Sequence, residues 1–373
     1  MCAERILVTG GAGFIGSFLV DLLVKRGERV VILDCLDPQV HPNGAPDYLN
    51  GEAEFIEGNV LDREILAPLV KRVDVLYHLA SAVGVGQSQY QIDHYTSANT
   101  QATARLLDIL VNEKHAVRKV IVAASMSSYG EGLYEAPSTG ERLRPGLRPE
   151  SQMEQREWEP LHPRTGESLR PVPTPETEPF QCNSIYAMTK AHQEEMTLMI
   201  GRTYGIPAVA TRFFNVYGPR QSLSNPYTGV AAIFMSRIKN DQRPVVYEDG
   251  KQTRDFISVH DIVEALARIK DTPAADHQSL NLGTGIPLPI AEVARTIARV
   301  CGKDIEPDIQ NKFRKGDVRH CYADNSKARA LLGWEPKVAY ENGIRELVEW
   351  SEKVEAEDRF EQAAAELRAK GLV

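Results

Sequence analysis

The sequence has no long hydrophobic run, no paired cysteines and no excess of positive charge. No apolar stretch approaches the ~20 residues that a membrane-spanning helix needs. The cysteines are odd in number and form no Cys-x-x-Cys pair, which argues against a disulfide framework and against a zinc site: Cys2, Cys35, Cys182, Cys301 and Cys321. A formal net charge of -8 gives no electrostatic basis for binding nucleic acid.

These absences predict a reduced, cytoplasmic, globular protein without a metal, nucleic-acid or membrane partner. An apolar β-branched run already begins at Arg5, so we expect no signal peptide before it. The 373 residues suffice for one large α/β domain with a smaller lobe, or for two domains.

The first sequence signal is a glycine-rich turn between an apolar run and a helical pattern. Residues 5–9 predict a buried strand, glycines follow at 10, 13 and 16, and leucines then recur at helical spacing. Glycine permits the sharp turn and lets backbone N–H groups approach a pyrophosphate at the helix N-terminus. The segment therefore predicts a dinucleotide site.

A carboxylate at the end of the second predicted strand indicates which dinucleotide binds. Residues 28–33 predict this strand, and Asp34 follows it directly. Its carboxylate can accept hydrogen bonds from ribose hydroxyls and would repel a 2′-phosphate, so the sequence favours NAD over NADP.

Strands and helices alternate through the first half of the chain. This rhythm predicts an α/β fold, a Rossmann-type doubly wound parallel sheet over residues 1–215. Shorter segments over 216–351 predict a smaller α/β substrate-binding lobe, with strands that can cross between the lobes. The charged, alanine-rich stretch 352–373 predicts a surface helical tail without chemistry.

Residues 135–179 interrupt this rhythm. They are rich in Pro, Gly, Arg and Glu and poor in aliphatic side chains, so we expect a loop or small subdomain over the cleft. Trp158 and Leu161 are its candidate anchors, and a disordered surface insert is the alternative. The segment has His162 but no cysteine, and a lone histidine cannot hold a structural zinc.

Three polar residues form a candidate catalytic group. Tyr186 and Lys190 are four residues apart in a predicted helix and share one face, and Ser125 ends a predicted strand where the crevice should lie. Free tyrosine, with a pKa near ~10, is a poor base at neutral pH. We expect the Lys190 ammonium to lower the pKa of Tyr186.

Several motifs together resemble the extended short-chain dehydrogenase/reductases, specifically the nucleotide-sugar epimerases and dehydratases. They are Thr9–Gly16, His78–Ser81, Ser125–Gly130, Tyr186–Lys190, Arg212–Arg220, Arg254–Asp261, Asn281–Gly285 and Leu332–Trp334. The resemblance covers the chain except for residues 135–179 and the C-terminal tail. It implies that Ser125, Tyr186 and Lys190 are catalytic.

The same resemblance assigns two sets of binding residues. For NAD it implies Gly10, Gly13, Phe14, Ile15, Gly16, Asp34, Val60, Asp62, Leu79, Ala80, Ser81, Asn99, Ala123, Tyr186, Lys190 and Phe213. For a nucleotide-diphosphate sugar it implies Val85, Ser125, Ser127, Asn215, Tyr247, Arg254 and Arg319. It also implies a tightly bound, recycled NAD and a homodimer formed through the helices at 93–114 and 184–204.

One departure from the family narrows the reaction. The 4,6-dehydratases have an Asp-Glu pair after the catalytic hydroxyl residue, where this chain has Met126 and Ser127. Neither side chain can act as a carboxyl acid or base, which leaves reversible oxidation at C4 and hence 4-epimerisation. Residues 83–88 and 158–176 most resemble the bacterial deoxysugar epimerases that act on dTDP-L-rhamnose, which implies a dTDP-linked deoxyhexose.

Other functions remain open from the sequence. The same scaffold could carry a 2-epimerase, a 3,5-epimerase, a 4-ketoreductase or a dehydratase. A non-catalytic NAD-sensing protein is the alternative from another class, although such proteins usually lose the Tyr or Lys that this chain retains at 186 and 190.

Overall fold

The computed structural model describes residues 3–372, so Cys2 lies outside the described residues. Its strands, in chain order, are β1 (Arg5–Thr9), β2 (Arg29–Asp34), β3 (Glu54–Glu57), β4 (Val75–His78), β5 (Lys119–Ser125), β6 (Leu133–Glu135), β7 (Arg142–Leu143), β8 (Arg170–Val172), β9 (Ala208–Phe213), β10 (Asn215–Tyr217), β11 (Val245–Val246), β12 (Thr253–Ser258), β13 (Ser279–Leu282), β14 (Pro287–Pro289), β15 (Asp308–Ile309) and β16 (His320–Cys321).

The helices lie between these strands. They are α1 (Phe14–Lys25), α2 (Arg63–Lys71), α3 (Val85–Ser88), α4 (Ile92–Tyr95), α5 (Ala102–Asn112), α6 (Glu150–Glu154), α7 (Ile185–Tyr204), α8 (Val230–Lys239), α9 (Val259–Lys270), α10 (Ile290–Val300), α11 (Ser326–Leu332), α12 (Tyr340–Ser351) and α13 (Phe360–Ala369). No helix within residues 3–372 is long and apolar enough to span a bilayer.

The largest sheet has seven parallel strands, six of them from the first 215 residues and one, β13, from later in the chain. Its strand order is β13-β9-β5-β4-β1-β2-β3, and every neighbouring pair runs parallel. The chain runs outward from β1 to β3 and then crosses to β4 on the other side of β1. This reversal leaves a crevice at the carboxyl ends of β1 and β4, and the predicted doubly wound α/β fold is confirmed.

Alternating strand residues build a core on each face of the sheet. Leu7 and Leu76 pack with the residues of α2 and α5, whereas Ile6 and Val8 pack with those of α1 and α9. These strands are buried on both faces, as their nearly continuous apolar sequence predicted. Burying each such aliphatic side chain stabilises the fold by about 1.5–3 kcal/mol.

The division of the chain at residue 215 needs correction. Strand β13 adds to the large sheet beside β9, and α9 packs against α1. Part of the segment 216–351 therefore completes the first domain. The prediction included strands that cross between the lobes, and β13 is such a strand. The remainder forms the smaller lobe, in which β10, β12, β14 and β16 pair and α8, α10 and α12 share a core.

The two long helices occur close to their predicted positions. The first is interrupted, because a π-helical segment over Thr96–Gln101 joins α4 to α5. The buried Asn99 within it hydrogen-bonds both backbone groups of Ala82. The second, α7, starts after Ser184, whose hydroxyl accepts a hydrogen bond from the Ala187 N–H and caps the helix.

Residues 135–179 belong to a small ordered subdomain. Strands β6, β7 and β8 pair antiparallel, and Met153, Trp158 and Leu169 are buried. The disordered alternative is thus wrong. The placement over the cleft is also wrong, because the lining of the large cavity includes no residue from 135 to 179. Arg148 instead attaches the subdomain to the smaller lobe through Glu248.

We predict that Arg148→Ala lowers the free energy of unfolding by about 3 kcal/mol, the low end for a broken buried ion pair, because the buried Glu248 carboxylate would lose one of its two arginine partners and keep only Arg319. The side chains of this pair are 2% and 4% exposed. Arg164→Ala is the control, since Arg164 is 73% exposed in its pair with Glu141 and should cost less than about 1 kcal/mol. Chemical denaturation measures both, and equal losses would contradict the anchoring role.

Candidate active site

A cavity of about 790 Å³ extends from the carboxyl edge of the large sheet to the smaller lobe. Its two ends have different chemistry. The first is lined by the glycine turn and by Asp34, and the second by Tyr247, Arg254 and Arg314. Ser125 and Tyr186 line it as well.

The glycine turn fits a pyrophosphate because it has no room for side chains. Gly10 has φ +72°, and a Cβ there would lie 2.7 Å from the Ala80 nitrogen. A Cβ on Gly16 would lie 2.1 Å from the Gly10 oxygen. No side chain caps the N-terminus of α1 at Gly13, so its free N–H groups remain available for an anion.

Asp34 is held at the end of β2 by two backbone donors. Its carboxylate oxygens accept hydrogen bonds from Ala12 N and Leu36 N, each at 3.0 Å. The carboxylate lines the cavity, where remaining lone pairs can accept from a ribose diol. This geometry agrees with the predicted preference for NAD.

Fourteen of the sixteen residues predicted for NAD line the cavity. They are Gly10, Gly13, Phe14, Ile15, Gly16, Asp34, Val60, Leu79, Ala80, Ser81, Ala123, Tyr186, Lys190 and Phe213. Asp62 is outside it and caps α2, accepting from Glu64 N at 2.9 Å. Asn99 is fully buried and supports the cavity wall through Ala82 and Ser81. Both side chains contact the protein itself, and their roles towards NAD stay predictions.

The hydroxyl groups of Ser125 and Tyr186, both predicted to be catalytic, lie together. Ser125 ends β5, and the Ser127 hydroxyl donates to its oxygen at 2.9 Å. Burial raises the pKa of Tyr186, and a hydrogen bond with Ser125 opposes that rise. Lys190 is not among the groups that shift this pKa here, and its expected effect on Tyr186 stays a prediction.

Lys190 is buried beside the tyrosine and contacts other groups. Its ammonium donates to Gln193 Oε1 at 2.7 Å and to Ser81 Oγ at 3.3 Å. Burial lowers the pKa of Lys190 to about 7. An ammonium has three protons, so one donor remains for a ligand in the cavity.

Gln193 is a site residue that the sequence reasoning missed. It is fully buried, and its amide nitrogen donates to Thr103 Oγ1 at 2.9 Å. Thr103 also contacts His78, whose other ring nitrogen lies 2.8 Å from Thr9 Oγ1, just before the glycine turn. Burial lowers the pKa of His78 to about 3 and keeps it neutral. The signal in the sequence was its position three residues after Lys190, on the same helical face.

The second end of the cavity contains most of the residues predicted for the sugar nucleotide. The predicted residues that line it are Val85, Ser127, Asn215, Tyr247 and Arg254. The buried amide oxygen of Asn215 has no hydrogen-bond partner within residues 3–372, which fits a ligand donor at that point. The Arg254 guanidinium is fixed by backbone carbonyls, including that of Val318 at 2.7 Å.

Arg319 does not line the cavity, and its predicted contact with the diphosphate is corrected. The side chain is fully buried and pairs with Glu159, Glu248 and Asp249 at 2.6, 2.8 and 2.7 Å. Arg314 is the second arginine at the cavity instead. Its guanidinium lies 4.8 Å from the ring centroid of Tyr247 and pairs with Asp317.

Three side-chain amides connect segments around the cavity. Gln39 Nε2 lies 3.2 Å from Gln87 Oε1 and 3.3 Å from Asn225 Oδ1. The Tyr95 hydroxyl donates to the same Gln87 oxygen at 2.9 Å. Gln39 follows the Asp34 strand and Asn225 belongs to the smaller lobe, so this contact links the two ends of the cavity.

Comparison with known proteins identifies the chain. The profile of the NAD dependent epimerase/dehydratase family matches residues 6–152, and that of GDP-mannose 4,6 dehydratase matches residues 166–347. The dTDP-L-rhamnose 4-epimerase of Burkholderia thailandensis is 36% identical over 354 residues, or 93% of this chain and 94% of that protein. The chain belongs to the extended short-chain dehydrogenase/reductase family of nucleotide-sugar epimerases.

Solved structures agree with this epimerase along nearly its whole length. UDP-glucose 4-epimerase from Thermotoga maritima with UDP-glucose has a TM-score of 0.76 and 30% identity, covering 94% of this chain and 99% of that one. Thermus thermophilus UDP-glucose 4-epimerase in complex with NAD has a TM-score of 0.74 and 28% identity, covering 94% and 100%. The expected family and enzyme class are confirmed.

Among residues 3–372, no three His, Cys, Asp or Glu side chains cluster so that they could hold a metal ion. The described cysteines form no disulfide and lie apart: Cys35, Cys182, Cys301 and Cys321.

Gln193 provides a test of how Lys190 is held. Activity that needs the Lys190 ammonium falls as pH rises through its pKa, which is about 7 in this structure. Gln193→Glu places an opposite charge beside the ammonium and should move this loss upward by about one pH unit. Gln193→Met removes the acceptor and should move it downward. Profiles of kcat/KM against pH measure both shifts, and identical profiles would assign Gln193 to packing alone.

Proposed function

We propose that this epimerase inverts C4 of a nucleoside diphosphate sugar, and that a dTDP-linked deoxyhexose such as dTDP-L-rhamnose is its substrate. The observation that carries the reaction is the Ser125–Tyr186 pair between the NAD end and the sugar-nucleotide end of one cavity. The preference for dTDP-L-rhamnose is supported by the similarity to the Burkholderia enzyme.

The residues of this chain supply acid–base chemistry and orientation. Tyr186 removes the proton of the sugar 4-hydroxyl and returns it after the sugar has turned. Ser125 donates a hydrogen bond to the C4 oxygen as it becomes a carbonyl. Lys190 holds the nearby ribose through its remaining N–H donor. When bound, NAD supplies a positively charged ring that accepts the C4 hydride and later returns it.

Inversion requires the sugar to present its other face while the nucleotide stays in place. Arg254 and Arg314 provide two guanidinium groups at the substrate end, and such groups suit diphosphate oxygens. The Tyr247 ring supplies a flat apolar surface for the base, and Arg314 lies over the same ring, 4.8 Å from its centroid. The intermediate 4-keto sugar can then rotate about its diphosphate linkage.

The charges that line the cavity disfavour dehydration. Within the described residues, its acidic lining consists of Asp34, Asp37 and Asp317, and none lies at the Ser125–Tyr186 pair. Met126 and Ser127 occupy the places of the dehydratase carboxyl groups, and the Ser127 hydroxyl is engaged by Ser125. Water elimination would therefore lack its acid and its base.

We also propose that NAD remains bound between turnovers and that the enzyme is a homodimer. Reaction by alternate oxidation and reduction restores the cofactor in each cycle, so its release is unnecessary. Two exposed methionines, Met188 and Met199, share one face of α7, which supports a contact between copies of this helix. Light scattering should give twice the chain mass, and a monomeric mass would contradict this assembly.

The decisive experiment follows sugar stereochemistry by NMR without added cofactor. Wild type should convert dTDP-L-rhamnose into its 4-epimer. Tyr186→Phe should slow this conversion at least ~100-fold, because a positioned acid–base group is lost. Tyr204→Phe, which alters an exposed tyrosine at the end of the same helix, is the control and should leave the rate unchanged.

Other outcomes would identify another reaction. Consumption of added NADPH would indicate a ketoreductase, whereas inversion at another carbon would indicate a different epimerase. Retention of full activity by Tyr186→Phe would remove this residue from the mechanism.

A further inference from the structure

The C-terminal tail is part of the cavity wall, and its prediction as a surface helix without chemistry is incomplete. Helix α13 is charged on its outer side, but Ala363, Ala364 and Leu367 are buried. The tail contributes apolar lining residues to the cavity: Phe360, Ala363, Ala364, Leu367 and Leu372.

The tail bridges separate segments at the mouth of the cavity. Glu366 accepts hydrogen bonds from the hydroxyls of Tyr90 and Tyr227, at 2.9 and 2.5 Å. Beyond α13, the Leu372 carbonyl accepts from Lys315 N at 3.3 Å. These contacts attach the tail to the segment after α3, to the smaller lobe and to the loop that carries Arg314.

Leu367 lines the cavity beside the short helix α3. Its δ-methyl group would lie 3.1 Å from a Cβ built on Gly86, so it covers that glycine closely. Gly86 lies in α3, and Ser88 of the same short helix accepts a hydrogen bond from Tyr186 N at 3.0 Å. Helix α3 thus connects the apolar face of α13 to the first turn of the helix that carries Tyr186, and Leu367 and Tyr186 both line the cavity.

We propose that α13 forms the outer wall of the sugar subsite, that Leu367 is a substrate-binding residue, and that Glu366 fastens this wall. The identity of the substrate rests on the proposed function. The Leu367 side chain offers no hydrogen-bonding group, so it contributes by apolar contact with the sugar and by excluding water. The glycine turn and Asp34 lie at the other end, and the tail makes no contribution to NAD binding.

Calorimetric titration of the NAD-loaded enzyme tests this wall. Leu367→Ala should weaken binding of dTDP-L-rhamnose about tenfold, because about three buried carbon atoms are lost, and leave binding of dTDP alone within about twofold. Glu366→Gln keeps the side-chain shape and should weaken the same sugar nucleotide by about threefold. UDP-glucose and UDP serve as a second pair of probes.

Glu355→Gln is the matched control, since Glu355 is exposed and precedes α13. It should bind both probes as wild type does, and all variants should retain the wild-type content of NAD. If wild type and Leu367→Ala bound the sugar nucleotide with equal affinity, the proposal that α13 forms a wall of the sugar subsite would be overturned. An equal loss for dTDP alone would also overturn it, because the contact would then be with the nucleotide.

The two proposals fail in different ways. Wild type that binds a sugar nucleotide without inverting it would refute the proposed function while leaving the comparison of variants intact. Wild type that epimerises dTDP-L-rhamnose, with Leu367→Ala unchanged in affinity, would refute the wall alone.

Discussion

The contact between the glycine turn and the first helix is the constraint on which the cavity depends. At Gly16 even a methyl group would overlap the Gly10 carbonyl, and at Gly10 it would overlap the Ala80 backbone. The closeness of these segments brings the N–H groups of α1 to the sheet edge where the strand order reverses. Asp34 and the Ser125–Tyr186 pair then follow from the ends of neighbouring strands and from α7.

A second constraint is the cluster of buried charges behind the substrate end. Removing ions from water is costly, and such clusters persist only when every charge is paired. Arg319 pairs with three carboxylates, and its backbone carbonyl accepts a hydrogen bond from Arg254. One of these carboxylates belongs to Glu159 in the subdomain formed by residues 135–179. The subdomain thus supports the position of Arg254 without lining the cavity.

The parts predictable from sequence are those with a local physical cause. Each of three sequence signals involves only a few neighbouring residues: the glycine spacing, a carboxylate at a strand end and a Tyr-x-x-x-Lys pair on one helix face. These signals predicted the fold, Asp34 and the Ser125–Tyr186–Lys190 group. The resemblance to nucleotide-sugar epimerases supplied the remaining assignments.

The errors concern long-range partners. Nothing near Asn99 in the sequence shows that its side chain holds the backbone of Ala82. Arg314 and Arg319 are five residues apart, and only tertiary pairing decides which is buried. The prediction for the C-terminal tail was incomplete because its many charged residues obscure the short apolar face formed by Ala363, Ala364 and Leu367.

The amide contact among Gln39, Gln87 and Asn225 has a thermodynamic consequence. It joins the loop beyond the adenosine-side carboxylate to the lobe that faces the sugar nucleotide. Coupling between two binding sites is reciprocal in free energy. If the dinucleotide orders Gln39 and thereby favours the second ligand through Asn225, the second ligand must favour the dinucleotide by the same free energy. Dissociation of a reduced dinucleotide would then cost more free energy in the ternary complex, where its loss would leave an oxidised sugar stranded.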